Sequence, residues 1–208
     1  MKVPTCGNIQ LHFIKNPIAA FSPLIQKGFY LEIITDNLQK LLCQACNLGQ
    51  EEVKSRIQTI FLNGKPVDDI TTATVQSDDC LALSAAMPGL VGATMRSGGV
   101  LASFRHSISH RLENAQSCMQ GGVLLIKLFN LLIREIGPHF LKHGILVHSN
   151  DLSDFLISQA EMLKNDCVTA QLNAQPVKPD TLISMDWPEK SGFIQLKVSF
   201  GTKPGNFS

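Results

Sequence analysis

The 208-residue sequence predicts an α+β fold: an N-terminal sheet-and-helix unit, then helices, then a C-terminal β-hairpin. Three observations predict it. Asn63-Gly64 stands between two β-rich runs, the strongest short-range hairpin signal. Just before it, Leu38, Leu41, Leu42, Ala45 and Cys46 recur at helical spacing. Near the far end, Ile194, Leu196, Val198 and Phe200 alternate with Gln195, Lys197 and Ser199, the period of a half-buried strand.

The elements follow in order. Ile9, Leu11 and Phe13 alternate with polar residues and predict a short strand, and residues 16–27, with Pro17 and Pro23, read as a loop. Gly28 opens a β-rich run over 29–35, and Asp36 is the expected cap of the helix built on Leu38 to Cys46. Gly49 falls near its end, and residues 51–56 add a further helical turn. A strand over 57–62, the Asn63-Gly64 turn and a return over 65–67 come next, closed by Asp68-Asp69. A short β-branched piece, 71–75, leads to a turn at Ser77-Asp78-Asp79 and a strand over 80–84.

FLNGKPVDD followed by TVQSDDCLALSAAM resembles the second half of β-grasp domains, which include ubiquitin-like sulfur carriers and the small subunit of molybdopterin synthase. The resemblance covers about Gly28 to Ala86 and implies a β-grasp-like unit over 1–86, in which a sheet cradles one helix. Sulfur carriers act through a Gly-Gly at the extreme C-terminus. Here Gly98-Gly99 is internal, with more than a hundred residues after it, so the resemblance implies the fold and not the carrier chemistry.

The remainder, 87–208, holds a Gly-rich segment, helices and the hairpin, packed with the first part or beside it. Residues 100–112 suit a helix. The apolar run Val123 to Ile136 places Lys127, Asn130 and Arg134 on one stripe and predicts a nearly all-apolar helix, buried in a core or at a subunit interface. Gly137-Pro138 should stop or turn it, and 139–147 reads as a connector or short strand. Asn150 or Asp151 can start a helix lined by Leu152, Phe155, Leu156, Ala160 and Leu163. Residues 164–180, with Pro176 and Pro179, read as a loop. Residues 181–187 and 193–200 are the expected arms of the closing hairpin.

Composition narrows the function classes. A net charge of +1 gives no global attraction to nucleic acid or to an anionic membrane, and neither is an expected partner. The longest apolar run, read as a helix, would be about 20 Å long, short of a roughly 30 Å hydrocarbon core. The first residues lack a continuous apolar signal segment, so a cytoplasmic location is expected, with six reduced cysteines rather than a disulfide framework. Charged residues make up 17 % of the chain, below the usual quarter, which favours much buried surface or a homo-oligomer.

The candidate chemistry centres on residues 80–108. Between Leu81 and Phe104 the only charge is Arg96, and no acid occurs between Asp79 and Glu113. Gly89, Gly92, Gly98 and Gly99 let a backbone approach a ligand, while Arg96, Arg105 and His106 supply positive charge for a phosphate or carboxylate. Close packing of these small residues, across a subunit interface included, is the favoured reading of the stretch, and a ligand held at such an interface would satisfy both.

Weaker signals have bland readings beside them. Cys43 and Cys46 form one C-x-x-C, but mid-helix they suit buried small apolar groups. His106/His110 and His139/His143 are four apart without the Glu of a zinc-protease helix, so no metal site is expected. Asp68-Asp69 and Asp78-Asp79 sit where turns favour Asp. The sequence calls for no cofactor. The expected function is a homo-oligomeric binding or assembly module with an anionic-ligand site in 87–111. The alternatives are an enzyme acting on a small phosphate or carboxylate substrate, and a sulfur-carrier-related protein.

Overall fold

The computed structural model describes residues 5–85, 122–187 and 192–202. The fold is mixed α+β, with ten strands and seven helices among those residues. They divide into two compact units, one of Tyr30–Ile136 and one of Pro4–Phe29 with Gly137–Ser208. The expected break at residue 86 falls inside the first unit, because the chain beyond it returns to pair with the strand that ends at Ser84.

In the first unit the strands β2 (Phe29–Glu32), β3 (Thr59–Leu62), β4 (Lys65–Pro66), β5 (Cys80–Ser84) and β6 (Val123–Phe129) lie in the order β4-β3-β5-β6-β2. The Asn63-Gly64 turn forms as expected. Both residues have positive φ, 51° and 77°, and β3 pairs antiparallel with β4 and β5. Asp79 braces this turn: its carboxylate oxygens accept from Asn63 Nδ2 and from Gln76 N, each at 2.7 Å. Helix α2 (Leu38–Cys46) buries Leu38, Leu41, Leu42, Ala45 and Cys46. Its cap is Asn37 rather than Asp36, the Asn37 Oδ1 accepting from Lys40 N at 3.0 Å. Helix α3 (Gln50–Arg56) follows Gly49, whose N–H donates to Glu52. Residues 71–75 contribute only an isolated bridge, Asn37 to Thr74, and not a strand.

The largest correction falls on Val123 to Ile136. The run is not one helix. It is strand β6, then Asn130 with φ 57°, then the first turns of helix α4 (Leu132–His143). β6 pairs parallel with β5, Ile126 beside Leu81 and Leu128 beside Leu83, and these four residues are buried with Leu124. Leu124, Ile126, Leu128, Leu132, Ile133 and Ile136 are apolar because they lie in the chain's own core, whereas Phe129 and Leu131 of the same run are exposed. Nor do Gly137-Pro138 end the helix. Pro138 cannot donate to the carbonyl of Arg134, but Arg134 is exposed and water can take that bond.

In the second unit the strands β1 (Thr5–Phe13), β7 (Ile145–His148), β8 (Cys167–Leu172), β9 (Gln175–Val177) and β10 (Phe193–Phe200) lie in the order β7-β10-β1-β8-β9. β10 has the expected alternation but a different partner. It runs parallel to β1, near the other end of the chain, and antiparallel to β7. The supposed first arm of its hairpin, 181–187, forms no strand; helix α7 (Pro179–Ser184) occupies its start. The expected loop 164–180 instead holds the hairpin of β8 and β9, turned by Asn173 and Ala174 at φ 50° and 64°.

Residues 16–27, also expected as a loop, form helix α1 (Ile18–Lys27). Pro23 is tolerated because the carbonyl it leaves unpaired belongs to the exposed Ala19. Helices α5 (Ser149–Ser158) and α6 (Ala160–Asp166) bury Leu152, Phe155, Leu156 and Leu163, while Ala160 is half-buried. Phe21 of α1 bridges Phe13 of β1 and Phe155 of α5, with ring centroids 5.9 and 4.6 Å apart.

Candidate functional site

The second unit contains an open cleft of about 470 Å³ where β1 hands over to α1 and α6 hands over to β8. Its shape follows from the local sequence. β1 ends at Phe13, whose buried ring packs on Phe21, and whose carbonyl accepts from Gly201 N at 3.0 Å. Ile14, Lys15 and Asn16 then cross the end of the sheet. Asn16 Oδ1 accepts from Ile18 N at 3.1 Å and Pro17 sets the entry to α1, so Ala19 and Ala20 present one small-residue wall. Opposite, α6 runs into β8 with no intervening loop, and Met162, Asn165 and Asp166 give way to Cys167 and Val168.

A β-bulge completes the cleft. His12 pairs with Thr169 but Phe13 pairs with Cys167, which leaves Val168 as the extra residue. The bulge turns Val168 outward, 51 % exposed, onto the cleft, where Ile14 is also exposed. Cys167 donates to Thr169 O at 3.3 Å, and burial pushes its thiol up, away from thiolate. The lining is mixed: Phe13, Ile14, Pro17, Met162 and Val168 are apolar, Asn16 and Asn165 are amides, and Lys15 and Asp166 carry opposite charges. A small molecule with an apolar body and polar ends suits such a surface.

A buried polar tie lies on the other face of β1. His12 Nε2 is 3.2 Å from Gly201 O, a group that only accepts, so Nε2 carries the proton. Nδ1 then accepts from Ser199 Oγ at 2.8 Å. This is the geometry of a base beside a hydroxyl nucleophile, but both side chains are nearly closed to solvent and neither lines the cleft. The pair locks β1 to β10 rather than meeting a substrate.

The residues expected to bind an anion, Gly89, Gly92, Arg96, Gly98, Gly99, Arg105 and His106, lie outside the described residues, as do His110 and the expected helix over 100–112. Cys43 and Cys46 sit on α2, where burial pushes the Cys46 thiol up to about 12, a value unsuited to redox or metal work at neutral pH. His139 and His143 share helix α4, but no group of three or more His, Cys, Asp or Glu could hold a metal among the described residues. The acidic pairs serve turns: Asp69 accepts from the amide and hydroxyl of Thr71 at 2.8 and 2.6 Å, and Asp79 holds the β3–β4 hairpin.

Sequence reasoning missed Lys15, Asn16, Asp166 and Val168 as site residues, since their neighbourhoods read as loops. The available signal was Asn16-Pro17 ahead of an Ile-Ala-Ala-Phe run, a helix start hidden by Pro23. No family model, curated protein or solved structure matches this chain. No helix among the described residues is long and apolar enough to cross a membrane.

Proposed function

We propose that this chain is a non-catalytic binding module whose small ligand sits in the cleft of the second unit. One observation carries the reading: an open 470 Å³ cleft, within the usual 300–1,000 Å³ of small-ligand sites, combines an apolar floor with two charged and two amide side chains. The thiol on the lining, Cys167, donates to Thr169 O and is pushed up by burial, away from thiolate, so binding accounts for the described lining without a reaction. The test is a fragment screen by ¹H–¹⁵N NMR. Hits that shift the amides of Lys15, Ala19, Ala20 and Val168 support the reading. Hits confined to residues remote from the cleft, or none at all, refute it.

A second reading keeps the anionic ligand of the Gly/Arg stretch, as a binding site or as the site of an enzyme for a small phosphate or carboxylate. Its support is topological. β5 and β6 are adjacent and parallel, so residues 85–122 make the crossover, far longer than the dozen or so such a connection needs, and surplus length of this kind commonly serves binding. A thermal-shift screen against phosphates and carboxylates tests it, with stabilisation lost in Arg96→Ala as the expected outcome. The β-grasp character of Gly28–Ala86 is part of the same proposal; its support is β2, α2, β3, β4 and β5 following one another in the expected order. Self-association rests on the low charge content and on the apolar residues 81–104, and light scattering across a concentration series decides it.

A further inference from the structure

Among the described residues, Lys15 and Asp166 are the charged residues that line the cleft. Neither side chain makes an ion pair or hydrogen bond with another described residue. Other charges on the same helices are paired: Lys27, at the far end of α1, with Asp151 at 2.8 Å, and Lys164, two residues from Asp166, with Asp180 at 2.9 Å.

Both cleft charges also stand at the wrong ends of their helices. Lys15 lies just ahead of α1, whose N-terminus is positive and whose first turn has no acid to balance it. Asp166 is the last residue of α6, where the helix end is negative. A cation at a helix start and an anion at a helix end are each unfavourable to the helix, and neither side chain is paired with another described residue, although Lys164 offsets part of the charge in the last turn of α6. Two such placements facing one cleft are what a ligand of matching polarity would relieve.

We infer that the cleft takes an apolar zwitterion, an amino acid or dipeptide with an aliphatic or aromatic side chain. This rests on the reading of the cleft as the ligand site. The ligand carboxylate meets Lys15 beside the start of α1. The ligand ammonium meets Asp166 at the end of α6. Phe13, Pro17, Met162 and Val168 take the apolar body, and the Asn16 and Asn165 amides are available to its peptide group. Opposed charges in one site also exclude a simple anion or cation, which would satisfy one group and leave the other facing a like charge.

The test is a charge cycle on the whole chain. Leucylleucine, its N-acetyl form, its C-terminal amide and the doubly capped neutral compound are titrated by calorimetry, with NMR locating each on the protein. Leucylleucine should bind tightest, and capping either end should weaken binding roughly three- to tenfold. Lys15→Gln should erase the penalty for amidation alone, and Asp166→Asn the penalty for acetylation alone. The free variants should melt at or above the wild-type temperature, because each removes an unfavourable helix-end charge. A neutral compound that binds in the cleft as tightly as the zwitterion overturns the inference and leaves the cleft reading standing, as do penalties that survive in both variants. Failure of all four compounds to shift the Ala19, Ala20 and Val168 amides overturns the inference. If the fragment screen also leaves those amides unmoved, the cleft reading falls with it. A melting temperature several degrees lower in either variant would make that charge structural and overturn the inference by a separate route.

Discussion

Leu124→Ala and Leu125→Ala separate the two structures that the run from Val123 can adopt. On strand β6, Leu124 is fully buried and Leu125 is only half-buried beside Cys80. On a helix the order reverses, because Leu125 would lie opposite the stripe of Lys127, Asn130 and Arg134 while Leu124 would flank it. Leu→Ala deletes three carbons, at ~0.8 kcal/mol each about 2.4 kcal/mol of transfer free energy. The cavity left behind adds to this, and fully buried leucines cost about 2–5 kcal/mol on truncation. Leu124→Ala should therefore cost about 3 kcal/mol, and Leu125→Ala about half as much. Leu131→Ala, at a residue 64 % exposed, should stay within about 0.5 kcal/mol. Urea unfolding followed by far-UV circular dichroism reads all three as shifts in midpoint at constant slope. Equal costs at 124 and 125, or the larger cost at 125, would refute the strand and with it the β5–β6 pairing.

Four further outcomes follow from single residues. Gly122→Ala places a Cβ 3.0 Å from the backbone of Ser77 and closer still to its side chain, so it should destabilise by about 1–3 kcal/mol in the same unfolding assay. The Asp69 carboxyl is held below its ordinary value of 3.8 by hydrogen bonds from the Thr71 hydroxyl and amide. Its contribution to stability is therefore full above that value and lost as the pH falls through the lower folded one, and an NMR titration of Asp69 with acid unfolding of Asp69→Asn checks both. The Lys27 ammonium is raised above its ordinary 10.5 by its hydrogen bond to Asp151. The stabilisation it gives is present below 10.5 and fades above it, and because the pair is exposed, Lys27→Ala should cost less than about 1 kcal/mol at neutral pH. With its thiol pushed up to about 12, Cys46 should resist a disulfide reagent at pH 8 in the native state while the exposed Cys6 reacts, as mass mapping of the labelled sites would show.

Much of the fold could be read where local chemistry decides structure. Asn63-Gly64 specifies its turn whatever surrounds it, and the alternations of β1 and β10 and the apolar face of α2 are complete within their own residues. The misreadings share a physical cause. The less buried face of Val123–Phe129 carries Leu125 and Phe129 as well as Lys127, so the strand lacks a clean polar alternation and could not be told from a helix by period. The clue was Asn130, a residue type that accepts φ 57° and marks the break. Pro23 and Pro138 argued against helices that exist because the carbonyls they strand face water. The partner of β10 was not legible at all, since parallel pairing with β1 joins residues more than 180 positions apart. The cleft was invisible for the same reason. Lys15 and Asp166 line one cleft because Phe13 pairs with Cys167, and a bulge that shifts register by one residue has no sequence signature here.

The most direct test of the cleft as the ligand site is to fill it. Ala20 lines the cleft and is only partly buried, so Ala20→Phe adds a ring on the solvent side of α1 without entering the core. The measurement is the NMR titration of wild type and Ala20→Phe with leucylleucine. The account predicts saturable shifts at Lys15, Ala19 and Val168 in the wild type, and their disappearance in a variant that melts within a few degrees of it. Binding that persists unchanged in Ala20→Phe, or shifts that map to another surface, would contradict it.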